Sequence, residues 1–139
     1  MASLIYDSFA DDLSRGSIDM DTDTFYAMLV TSAYTPSKTT HLKRSDVTNE
    51  VSGTGYAAGG IAVACTVAKN TGANTETFTF ANPSWAASTI TAHAAVIYKH
   101  RGGASTADEL VCYVDFGADV TSTAGTFAVT FSSPLTIQN

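Results

Sequence analysis

Alternation of apolar and polar residues at every second position is what most constrains this chain. Phe78 and Phe80 alternate with Thr77 and Thr79, and Phe127, Val129 and Phe131 alternate with Ala128 and Thr130. A side-chain period of two belongs to a strand with one face buried and the other presented. Further strands are read at Phe25–Val30, Ile61–Lys69, Ile90–Lys99 and Leu110–Phe116, with a short one at Leu135–Ile137. Phe25–Val30 is apolar at every position, which predicts a central strand covered on both faces. Between these runs lie Gly, Ser, Thr, Asn and Asp, and no helical period intervenes as it would in βαβ units.

The one helical period is near the start. Ile5, Phe9 and Leu13 are four apart with Leu4 beside them, and Gly16 supplies a stop, so a short helix is predicted over Ser3–Arg15. The expected architecture is one all-β domain over residues 1–139, an antiparallel β-sandwich or jelly-roll-like fold with a short N-terminal helix. A chain of 139 residues is long enough to bury a core without disulfide or metal staples.

Charge excludes several partners. The chain holds 7 Lys and Arg against 13 Asp and Glu, a net charge of −6. Binding to nucleic acid through counterion release needs clustered cations, and the tightest pair, Lys43-Arg44, is followed at once by Asp46 and Glu50. No nucleic-acid or membrane partner is expected: apolar runs fall well short of the roughly 20 residues a bilayer span needs. The N-terminus shows neither the basic nor the apolar region of a secretory signal. Only 14% of residues are charged, against roughly 25% in ordinary soluble domains. A surface rich in Thr and Ala leaves few charges to desolvate against other protein.

Candidate chemistry is sparse. Asp19, Asp21 and Asp23 alternate as cation ligands do, but the calcium-loop pattern would need Gly and Glu where Thr24 and Val30 stand. They read as a solvated acidic edge on an extended segment. Asp115-Phe116-Gly117 matches three letters of a kinase magnesium motif, with none of the remaining apparatus. The glycines of Ser52–Gly60 lack the Lys-Ser/Thr ending of a phosphate loop and read as a bulged turn. His41, His93 and His100 have no ligand partners at metal spacing. Asp108-Glu109 is the one adjacent acid pair that a glycan-cleaving β-sandwich enzyme could use, and two such loop acids read as solvated. Catalytic, metal and cofactor-binding residues are therefore assigned to none. Cys65 and Cys112 fall on the apolar parity of their strands and are expected as free, buried thiols.

Several segments carry a likeness when taken in order. They are Asp21–Phe25, Met28–Ser32 with Tyr34-Thr35-Pro36, Lys43–Val51 with Gly53–Tyr56, Ala95–Lys99 and Tyr113–Gly117. The ordered set resembles a family of small virion structural proteins of tailed double-stranded DNA bacteriophages. That resemblance implies a particle component without enzymatic activity, assembled in the host cytoplasm and located in the virion. Short strands and a modest helix suit a decoration, or cement, protein on the capsid exterior better than a tail-tube subunit. The expected partners are the major capsid protein and further copies of the chain, with a homotrimer favoured. Candidate interface residues are Leu4, Ile5, Phe9 and Leu13 of the predicted helix, Tyr34 of the following loop, and Trp85. The alternative is a head-fibre or tail-associated appendage for host attachment, resting on exposed aromatics around Tyr34 and Trp85.

Overall fold

The structure is a computed structural model that describes residues 2–138. Its elements are β1 (Leu4–Ile5), α1 (Asp7–Ser14), β2 (Phe25–Val30), β3 (Ile61–Val63), β4 (Cys65–Asn70), β5 (Thr75–Phe80), β6 (Ser84–Lys99), β7 (Leu110–Ala128) and β8 (Leu135–Gln138). Two antiparallel sheets result, a larger one ordered β1-β7-β6-β2-β3 and a smaller one ordered β4-β5-β8. The fold is all-β and sandwich-like with one short helix, as the alternation predicts. The run read as a single strand from Ile61 to Lys69 divides at Ala64: β3 pairs with β2 in the larger sheet, and β4 pairs with β5 in the smaller.

The larger sheet is covered on both sides, which explains the unbroken apolar character of β2. Phe25, Ala27 and Ile97 face Phe78 and Phe80 of the smaller sheet, joined by Phe9 of α1. Met28, Val30, Val96 and Tyr98 face the other way, toward Tyr6 and Tyr34. The second cover is thus a loop, residues 31–50, whose only regular piece among the described residues is a 3-10 turn at Arg44–Asp46. A third cluster gathers Trp85, Phe127, Ile90 and Leu29 at the far end of the β6–β7 hairpin.

Two boundaries depart from expectation for physical reasons. The helix starts at Asp7, because Leu4 and Ile5 pair with Tyr113 and Cys112 of β7. Two apolar residues at the open margin of a sheet satisfy more backbone as a strand than as a frayed first turn. The helix ends as predicted, with Gly16 in the left-handed region at φ 78° and its N–H bonded to Leu13. Strands β6 and β7 are longer than the alternation implies, since bulges scramble their parity. Ala92 faces Val120 while Ala94 faces Asp115, so Phe116–Asp119 is extruded opposite His93.

Candidate functional site

Asp19, Asp23, Asp108, Glu109 and Asp115 all hold partners within the chain. Asp108 and Glu109, expected in solvent, are buried instead. Arg44 Nε donates to Asp108 Oδ2 at 2.8 Å, and the Arg101 amide donates to Asp108 Oδ1 at 3.0 Å. Arg101 grips Glu109 with Nε at 2.6 Å from Oε1 and a terminal nitrogen at 2.9 Å from Oε2. Lys43 lies 3.8 Å from the same carboxylate. Both acids are spent on fastening the 31–50 loop and the hairpin tip.

The Asp19–Asp23 segment is a closed turn rather than an extended acidic edge. Asp19 Oδ1 accepts the amides of Asp21 and Thr22 at 2.9 and 3.2 Å, and these bonds hold its carboxyl below the usual range. Asp23 accepts the Asp19 amide at 2.7 Å and pairs with Lys99 at 2.8 Å. Among the described residues no three His, Cys, Asp or Glu side chains converge as a metal-holding group.

Two of the three histidines are occupied in the same way, while His100 stacks on Tyr26 with ring centres 3.9 Å apart and keeps a buried Nδ1 with no hydrogen-bond partner. His93 directs Nδ1 to Asp119 at 2.8 Å and Nε2 to Asp115 at 3.3 Å, which leaves no ring nitrogen facing a hydroxyl. His41 Nδ1 accepts the Ser37 amide at 3.2 Å and therefore carries a lone pair there. Tyr34 donates to that nitrogen at 2.9 Å, and the Tyr6 hydroxyl lies 2.9 Å from that of Tyr34. Burial pushes both phenols up, and the hydrogen-bonded row of Tyr6, Tyr34 and His41 serves to anchor the loop. Glu50 accepts from Tyr56 at 2.7 Å and from the Gly59 amide at 2.6 Å, closing the glycine-rich turn. None of these partners was legible locally, although Lys43, Arg44 and Arg101 were the cations available to Asp108 and Glu109.

The remaining candidate is a groove of about 800 Å³ beside β7, where the two sheets part. Its walls are Val114, Phe116, Phe127 and Val129 on one side and Phe131, Pro134 and Leu135 on the other. A smaller recess of about 220 Å³ continues toward Phe78 and Phe80. Val120 and Ile5 line the same groove and remain 43% and 40% exposed. Its two charged lining groups are paired, Lys38 with Asp7 at 3.0 Å and Asp115 with His93. Such a lining, mostly apolar and with its charges paired, suits apolar protein surface.

Of the six candidate interface residues, the structure brings Leu4 and Ile5 to this groove. Phe9, Tyr34 and Trp85 lie in the interior at 5%, 3% and 3% exposure, and Leu13 packs partly buried against the first cluster. These four serve the core of their own chain: the helix needs Phe9 and Leu13 to hold it against the sheet, and Trp85 stacks edge-on against Phe127. Both thiols are free, and burial raises Cys65 to about 11 and Cys112 to about 12. No helix among the described residues is long and apolar enough to cross a membrane.

Comparison with known protein families, with curated proteins and with solved structures finds no match to this chain.

Proposed function

We propose that this protein is a virion structural component of a tailed bacteriophage. Its role is that of a capsid decoration protein, which clamps neighbouring major capsid subunits from the particle exterior as an oligomer, a homotrimer for preference. The observation that carries this reading is the groove beside β7: an exposed, apolar concavity whose charged lining groups are already paired. The ordered likeness of Met28–Ser32, Lys43–Val51 and Tyr113–Gly117 to small virion proteins supplies the setting. A cement protein gains attachment by multiplying weak contacts, because each further contact within one oligomer forms at high effective concentration. Low surface charge supports such contacts, since little hydration is lost when they close.

The appendage reading draws no comparable support. It depended on aromatic side chains around Tyr34 and Trp85 reaching a host surface, and both are buried. The test is retention on expanded capsids stripped of the protein, with host cells as the contrasting arm. A decoration protein co-sediments with capsids and ignores cells. A stable monomer retained by neither capsids nor their fragments would remove the proposal, and adsorption to cells alone would replace it with the appendage.

A further inference from the structure

We infer that the groove side of the molecule is where a second copy of this chain adds, strand against strand, along the open edge of β7. The inference deepens the cement reading by naming the surface through which copies associate. Its first support is backbone. β7 runs from Leu110 to Ala128, but β1 pairs with it only at Cys112 and Tyr113. Beyond that point, among the described residues, β6 is the one strand bonded to β7, and the outer edge faces the groove. The Asp115 N–H donates to Ser3 Oγ and the Gly117 N–H to Asp115 Oδ1, so the open stretch is Val120–Ala128, and its row of N–H and C=O groups is a template for another strand.

The second support is what guards the edge. Proteins ordinarily protect long edges with charged side chains, and from Val120 to Gln138 there is no Asp, Glu, Lys or Arg. Of the other edges, β3 is only three residues long and β4 carries Lys69, while β8 is uncharged like β7 but only four residues long. At the β7 edge an apolar residue, Val120, stands exposed instead.

Charge selects the occupant. The chain carries −6, so identical copies repel wherever their acidic surfaces meet. The uncharged β7–β8 side is where two of them approach without burying like charges. A strongly basic or acidic partner would gain nothing from it. An antiparallel edge is also self-complementary about a two-fold axis, because each strand then offers the other matching donors and acceptors, so this edge makes a dimer in place of the trimer favoured above.

The test is light scattering of the full chain from ~1 µM to ~1 mM, with amide exchange followed by mass spectrometry. Association is expected, with slowed exchange at Val120–Ala128 in the associated form that is lost on dilution. Val120→Glu and Ala128→Glu, both at exposed positions on the groove, should each weaken association at least about tenfold while circular dichroism and Tm stay unchanged. A wild-type chain monomeric throughout, or exchange at Val120–Ala128 that ignores concentration, overturns the inference, and the exchange result stands even if neither variant folds. Protection of that edge by capsids alone, without self-association, also overturns it by giving the edge to a capsid subunit. Variants that self-associate like wild type and still bind capsids would sink this interface and spare the cement reading. Loss of association in the variants, with wild type ignoring capsids, would do the reverse.

Discussion

Arg44 and Asp108 are 64 residues apart in sequence and meet at 2.8 Å, the carboxylate wholly buried and the guanidinium 5.1 Å from the centre of the Tyr98 ring. This pair joins the irregular cover of the larger sheet to the tip of its longest hairpin. Removing only the cation leaves a buried carboxylate with its amide partner alone. Arg44→Ala is therefore expected to cost about 3–5 kcal/mol in urea denaturation. Asp108→Asn should cost less, since an amide still accepts from the Arg101 N–H.

Gly60 sits at φ 80° directly against β2. A methyl group there would meet the carbonyl of Ala27 and the Cα of Met28, both of them backbone. Gly60→Ala should destabilise the chain by about 2–3 kcal/mol, read as a lower Tm. Gly102, also at positive φ but with open space around it, serves as the control and should lose less.

Stability should fall with alkaline pH. Burial raises Cys65 and Cys112 above their ordinary value of 9.0, and it raises Tyr6, Tyr56 and Tyr98 above 10.0. Below those ordinary values both folded and unfolded chains hold the protons, and these groups add no pH dependence. Above them the unfolded chain releases protons that the folded chain retains, so unfolding gains with each step upward. Thiol labelling at pH 8 should be slow in native protein and fast in guanidinium. The phenolate absorbance of the three tyrosines should rise only with unfolding.

Trp85 is the chain's one tryptophan and packs on Tyr56 and Phe127. Its fluorescence should be blue-shifted, resistant to iodide and unmoved by partner binding. Trp85→Ala should cost about 3–5 kcal/mol by emptying the third cluster.

The sequence carried whatever had a regular period. The alternation of Phe78 and Phe80 with Thr77 and Thr79 lies within β5, and the unbroken apolar run of Phe25–Val30 is the doubly covered β2. Period fails where the backbone departs from the pleat. Ala87 and Ala124 take φ of 49° and 46°, and the Phe116–Asp119 bulge shifts every later side chain of β7, so one strand ending at Ala128 read as two, Leu110–Phe116 and a second carrying Phe127, Val129 and Phe131. The Asp108–Arg44 and Glu109–Arg101 pairs were hidden for another reason: an acid in a turn looks solvated until the loop that covers it is placed. The groove was hidden because it belongs to no single segment, being the gap left where β1 stops and β8 lies in the other sheet.

A chain that spends its surface on assembling a shell is present in many copies per particle. The most direct measurement is its copy number in purified phage particles relative to the major capsid protein, by quantitative gel or mass spectrometry. A number comparable to that of the capsid subunit is predicted. A handful of copies per particle, or none, would contradict the account.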